Sequence, residues 1–305
     1  MSEISFFIPA YNCAGTISES VDSIMETNFQ SGDELVIVND CSTDNTAEVL
    51  SAIRQKYPVI KIITHTRNKG GGAARNTAIE NSENELLFCL DSDNILEKDS
   101  IKKLKAYLIE NNADVAAFQH LYYFSDSISK VNNIWSINEG IFSRQDLFSK
   151  SFSPGAGGNY LFTRKCWLKA GGYPEYAGAL DTWGFGLNQL MTGAKMMILK
   201  DSYYYHRLIE NSYYLRDAWS RRKSVSVRAL QLIIPYLDYI DEKDIDYLFG
   251  KKGRYSWVEN IEKRPIKVFD EQKKNGIWSN HDIPSRNWKH TVKKMLKINY
   301  AKKSN

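Results

Sequence analysis

The stretch Leu86-Leu87-Phe88-Cys89-Leu90-Asp91-Ser92-Asp93 decides how the rest of the chain is read. A short, continuous apolar run bounded by polar residues describes a strand covered on both faces, and such strands belong to parallel sheets. Two carboxylates, one residue apart, follow directly. At the end of a buried strand they can hold a hard divalent cation, with phosphate oxygens and water filling its other positions. The plainer reading of the same residues is a solvated turn whose acids cap the next segment.

Outward from this stretch the same pattern recurs. Residues 4–8, 35–38, 59–63 and 115–118 read as further buried strands. Between them Ile17, Val21, Ile24 and Met25, then Val49, Leu50 and Ile53, then Ile101, Leu104 and Leu108 fall at helical spacing. The cluster Ser42-Thr43-Asp44-Asn45-Thr46 supplies capping residues for one helix, and Gly70-Gly71-Gly72 opens another. Alternation of this kind predicts an α/β domain: a mostly parallel sheet with helices on both faces. Ligands of such sheets bind outside the carboxyl ends of the strands. Tyr11-Asn12, Asp40, Arg67-Asn68 and Asp91-Ser92-Asp93 therefore converge.

Residues 119–200 are less regular, with a loop over 151–159, a turn at Gly171-Gly172-Tyr173-Pro174, a helix after Asp181 and a strand over 196–199. Beyond 213 the pattern is helical and basic. The expected organisation is one domain over 1–212, with a regular part (1–118) and a less regular part (119–212), and a helical C-terminal extension over 213–305.

With 305 residues, 43% of them hydrophobic and 25% charged, the chain has the composition of a folded globular protein. No apolar run approaches the roughly 18 residues that span a bilayer. The N-terminus lacks the features of a secretory signal, so a cytoplasmic location is expected. Four cysteines without CxxC spacing are expected to be reduced and partly buried. A net charge of +4 is too small to imply a nucleic-acid partner. The stretch 286–303 is basic without an acid, and Trp288, Val292, Met295, Leu296 and Ile298 interleave with its lysines. It is consistent with peripheral contact with the inner face of the plasma membrane, and equally with packing against the rest of the chain or against a second subunit of a homo-oligomer. Lys251, Lys252, Arg254, Tyr255 and Trp257 offer a surface for an anionic polysaccharide or lipid-linked acceptor.

At the strand ends, Tyr11 after Pro9 offers a ring on which a base can stack. The Asp40 carboxylate can accept a hydrogen bond from a base edge such as the N3–H of uracil, or cap the next helix. Around Asn68, the glycines allow close backbone approach to a ligand, and Arg75 brings a fixed positive charge. No G-x-G-x-x-G follows the first strand and no phosphate-binding G-x-x-x-x-G-K-[ST] occurs, which disfavours dehydrogenases and P-loop enzymes.

Four ordered motifs resemble the inverting glycosyltransferases of family 2, which have the Rossmann-like GT-A fold: Phe7-Ile8-Pro9-Ala10-Tyr11-Asn12, Val38-Asn39-Asp40-Cys41-Ser42-Thr43-Asp44, Arg67-Asn68-Lys69-Gly70 with Ala74-Arg75-Asn76, and Asp91-Ser92-Asp93. The resemblance covers roughly residues 3–210 and implies a catalytic domain over 1–212 with a donor half (1–118) and an acceptor half (119–212). It implies that Pro9, Tyr11, Asp40, Asn68, Arg75, Asp91 and Ser92 surround a UDP-sugar. It also implies that Asp93, joined by His206, holds Mn²⁺ or Mg²⁺, and that Asp181 is the general base. Arg207, Asn211 and Ser212 are implied at the acceptor or diphosphate. The implied reaction is a single displacement onto a hydroxyl of a glycan or lipid-linked acceptor in bacterial surface-polysaccharide synthesis. The alternatives weighed are a sugar-1-phosphate nucleotidyltransferase, whose early glycine-rich loop is missing, and a non-catalytic carbohydrate-binding module.

Overall fold

The computed structural model of the chain describes residues 3–149, 153–209, 222–241, 243–244 and 265–269. They fall in two compact units, one within Met1–Ser143 and Phe152–Ser220, the other within Arg144–Ser151 and Arg221–Asn305.

The first unit is built on one mixed sheet. Strands β1 (Ile4–Ala10), β2 (Glu34–Asn39), β3 (Lys61–Thr64) and β4 (Leu86–Cys89) lie in the order β3-β2-β1-β4, all parallel. Helices α1 (Ile17–Met25), α2 (Thr46–Lys56) and α3 (Gly71–Glu80) make the crossovers. Phe6, Phe7, Ile8, Leu35, Val36, Ile37 and Leu87 are fully buried, as expected of a sheet covered on both sides. Helix α1 turns Ile17, Val21 and Ile24 inward, the residues whose spacing predicts it. Strand β3 begins two residues later than expected, because Val59 lies 56% exposed outside it.

The sheet continues as β4-β9-β6-β10-β5, where β5 is Ile95–Leu96, β6 Val115–Phe124, β9 Tyr160–Thr163 and β10 Met196–Arg207. Strands β6 and β10 are parallel, whereas β9 runs antiparallel to β4 and β6, and β5 antiparallel to β10. Two more strands, β7 (Val131–Ser136) on β6 and β8 (Gly140–Phe142) on β10, complete it. The parallel expectation thus describes β1 to β4, and from β5 onward the sheet is mixed. Helix α4 (Ser100–Glu110) packs on β6 and β10.

Two short segments aim the site. Helix α6 (Pro154–Gly157) leads into β9, and α8 (Asp181–Met191) begins at Asp181 after α7 (Arg164–Ala170) and the positive-φ pair Gly171 and Gly172. Helices α6 and α8 meet backbone to backbone: a Cβ on Gly186 would lie 2.9 Å from the Gly155 Cα, and one on Gly155 would lie 3.1 Å from the Gly186 Cα.

In the second unit, α5 (Arg144–Leu147), a helix over Arg222–Ile233 and a 3₁₀ helix over Ile234–Tyr239 are described. Gln145 Nε2 donates to the Ile266 carbonyl at 2.9 Å, and Ala229, Leu230, Leu232, Ile233 and Ile266 are buried. The basic stretch 286–303 and the group Lys251 to Trp257 lie outside the described residues. Among the described residues no helix is long and apolar enough to cross a membrane. All four cysteines are free thiols; Cys13, Cys89 and Cys166 are buried and Cys41 half-buried.

Candidate functional site

The loops after β1, β2 and β3 are tied into one wall. Pro9 is half-buried within β1 opposite Val38, and Tyr11 projects with 44% of its surface exposed. The Asn12 side chain accepts from the Thr43 amide at 2.8 Å, joining the first loop to the second. Asp40 is almost fully buried. Its Oδ1 meets His65 Nδ1 at 2.7 Å and the Lys69 amide at 2.8 Å, and its Oδ2 accepts from the Gly70 amide at 2.8 Å. The Asn68 side chain donates to the Asp40 carbonyl at 3.2 Å. Asp40 therefore organises the loop that leads into α3.

Helix α3 presents Arg75 to two carboxylates. Nη1 donates to Asp181 Oδ2 at 2.8 Å, and Nη2 to Asp91 Oδ1 at 2.6 Å. The arginine and Asp181 are buried, while Asp91 is about a quarter exposed. Burial pushes the Asp181 carboxyl up from the usual range against the opposing pull of Arg75. Gly71, one turn before Arg75, leaves room for this arrangement: a Cβ there would lie 2.7 Å from Arg75 Nη1 and 2.8 Å from Asp181 Oδ2.

Asp91 has a second anchor in Asn159, just before β9. The Asp91 amide donates to Asn159 Oδ1 at 2.7 Å, and Asn159 Nδ2 returns to Asp91 Oδ2 at 3.2 Å. Tyr204 on β10 donates to the Gly157 carbonyl at 3.0 Å beneath them. The Ser92 carbonyl accepts from Thr16 Oγ1 at 2.9 Å. Burial and the neighbouring Asp91 charge push Asp93 up to about 7. His206 on β10 is pushed down to about 4 by burial, so its ring is neutral at ordinary pH. Its Nδ1 lies 3.4 Å from both Asn94 Nδ2 and the Tyr204 hydroxyl.

Among the described residues no three His, Cys, Asp or Glu side chains form a metal cluster. Asp93 and His206 nevertheless suit a cation in chemistry. One is a carboxylate whose ionisation is opposed by burial and a like charge, conditions that a cation relieves; the other is an imidazole in its ligating form. Arg207 frames Asp93 from behind: its Nε donates to the Asp93 carbonyl at 3.1 Å, Nη1 to the Ser125 carbonyl at 3.3 Å and Nη2 to Glu19 at 2.7 Å. Ser212 and Asn211 lie outside the described residues.

The structure thus joins Asp40 with Asn68, and Arg75 with Asp91 and Asp181. Tyr11 stands apart on the exposed rim. Sequence reasoning misses His65, Asn94 and Asn159. A lone polar residue among strands carries no periodic signal, although Asn159 follows the Gly157-Gly158 pair that marks a tight approach.

The sequence profile of the family described as "Glycosyl transferase family 2" matches residues 5–169. The poly(ribitol-phosphate) β-N-acetylglucosaminyltransferase TarS of Staphylococcus aureus is 32% identical over 116 residues, 38% of this chain and 20% of that protein. A poly(ribitol-phosphate) β-glucosyltransferase of Bacillus spizizenii is 34% identical over 115 residues, 37% of this chain and 18% of that protein. The chain thus spans about a fifth of the length of these relatives. Among solved structures, S. aureus TarS 1–349 in complex with UDP-GlcNAc superposes with a TM-score of 0.65 over 94% of this chain and 77% of that one, at 20% identity. The mannosyltransferase PcManGT of Pyrobaculum calidifontis, in complex with GDP-Man and Mn²⁺, superposes with a TM-score of 0.57 at 17% identity, covering 86% of this chain and 73% of that one. These likenesses establish the GT-A fold.

Proposed function

The chain belongs to glycosyl transferase family 2, and from that premise we propose that it transfers a hexosyl or N-acetylhexosaminyl group from a UDP-sugar to a hydroxyl of a glycan or lipid-linked acceptor in bacterial surface-polysaccharide synthesis. The observation that carries the reading is the ion chain Asp181–Arg75–Asp91, which sets a buried carboxylate one guanidinium away from the D-x-D stretch. This proximity supports a reading in which donor site and base share one scaffold. The names of the relatives, which act on poly(ribitol-phosphate), support a cell-wall polymer as the destination.

In the proposed reaction Tyr11 stacks on the base, Asp40 accepts from it, and Asn68 with Ser92 lines the donor site. Asp181 removes the proton of the attacking hydroxyl as the new bond forms on the opposite face from the diphosphate, inverting the anomeric carbon. Such a base contributes about 10²- to 10⁴-fold. Asp93 and His206 would hold Mn²⁺ or Mg²⁺, whose charge would stabilise the departing diphosphate. Arg207 keeps Asp93 in place through its carbonyl.

UDP release from a panel of UDP-sugars, with and without acceptor, tests the reading. Asp181→Asn should keep UDP binding and lose transfer. Transfer at the wild-type rate by that variant would remove Asp181 from the mechanism.

A further inference from the structure

Three N–H groups converge on the Asp40 carboxylate, and only one comes from a side chain. His65 Nδ1 lies 2.7 Å from Oδ1, while the Lys69 and Gly70 amides take Oδ1 and Oδ2. A carboxylate only accepts, so His65 Nδ1 carries the hydrogen. The other ring nitrogen sits 3.0 Å from Thr77 Oγ1 on α3, and the His65 side chain is 4% exposed. The ring is thus clamped between the end of β3 and the helix that carries Arg75.

An ionised carboxylate offers about four acceptor positions. Three donors leave one, on Oδ2. We propose that His65 is a positioning residue for base recognition, holding Asp40 so that this remaining acceptor position meets a ring N–H of the donor's base. The inference rests on the UDP-sugar reading and adds a base preference to it. Uracil presents N3–H and satisfies the acceptor. Cytosine presents a lone pair at N3 and leaves two acceptors facing each other, which a buried site penalises. The amides of Lys69 and Gly70 cannot replace His65, because they belong to the loop that Asp40 itself organises. The ring comes from the strand end.

The test is calorimetric titration of the full chain with UDP and with CDP, beside thermal melts. The wild type should prefer UDP. His65→Leu should weaken UDP by about tenfold, the scale of one charge-assisted hydrogen bond, while CDP changes little, so that the preference collapses. His65→Asn retains an N–H near the Nδ1 position and should restore much of the preference. KM for the UDP-sugar should follow the binding loss, with a smaller change in kcat. Equal weakening of UDP and CDP, or a preserved preference in a folded His65→Leu protein, overturns the inference and leaves the donor reading intact. Should His65→Leu fail to fold, Thr77→Val takes its place; it strips the ring of its second bond and should lower the preference about threefold, and an unchanged preference overturns the proposal. A wild type that binds neither nucleotide overturns the UDP-sugar reading itself.

Discussion

Arg75 Nη1 lies 2.8 Å from Asp181 Oδ2 across 106 positions of sequence. The guanidinium's other arm reaches Asp91, so one arginine is shared by two acids, one from residues 1–118 and one from residues 119–212. Buried charges of this kind cost much to desolvate, and the arrangement holds only while every partner is present.

Replacing Arg75 with Met should therefore cost about 3–5 kcal/mol, the usual cost of orphaning a buried ion partner. The double variant Arg75→Met with Asp181→Asn should recover part of that loss, because one of the stranded charges is gone. Urea denaturation of the four proteins gives the coupling. A loss below about 1 kcal/mol for Arg75→Met would contradict a structural role for the ion chain.

Gly71→Ala sets two effects against each other. Within a helix, alanine is ordinarily better than glycine by about 0.5–1 kcal/mol. Here the added methyl would fall within contact of both Arg75 and Asp181. We expect the collision to win, with a net loss of about 1–3 kcal/mol typical of overpacking and a larger fall in turnover than in stability. A gain in melting temperature with activity retained would show that the ion chain can shift aside.

The pH dependence of transfer follows from the raised pKa of Asp181. A base works deprotonated, so kcat/KM should fall as pH drops through a value above the ordinary carboxylate range. Arg75 opposes the rise and Asp91 adds to it. Arg75→Gln should consequently move the acidic limb to higher pH, provided the variant folds. A limb that stays put would assign it to another group.

Transfer should be abolished by a chelator and restored by Mn²⁺ or Mg²⁺. His206→Ala should raise the metal concentration needed for half-maximal rate. Arg207→Met removes the donor to the Asp93 carbonyl and should weaken metal activation by about 10- to 100-fold, the range found for groups that orient metal ligands. Full activity in a chelator would exclude metal dependence.

The donor half was readable because buried parallel strands write themselves as apolar runs, and the residues that follow a run are its loop. Ile8 to Tyr11 and Leu90 to Asp93 each run from strand into loop, at the neighbouring ends of β1 and β4. The acceptor half hides its logic. Strand β9 has only four residues, Tyr160–Thr163, and runs against both neighbours, so it follows no strand–helix alternation. The 12-residue β10 loses register between Leu199 and Tyr203, which conceals that Tyr204 and His206 belong to the same strand as Met196. Asn159 and His65 reach Asp91 and Asp40 by hydrogen bonds that span 68 and 25 positions, and contacts so distant in sequence leave no mark on local spacing.

The close approach of Gly155 and Gly186 has a bearing on how such a site can diversify. With main chain against main chain, the depth at which α8 offers its first residue is not something that side-chain drift can adjust. Any substituent at the seam would lift the whole helix and carry Asp181 away from Arg75. The position of Asp181, the proposed base, is thereby insulated from side-chain variation, while the exposed strand β7, with Ile134 and Trp135 on its surface, lies outside that seam. Substitution on that exposed surface would leave the seam, and with it the setting of the proposed base, untouched.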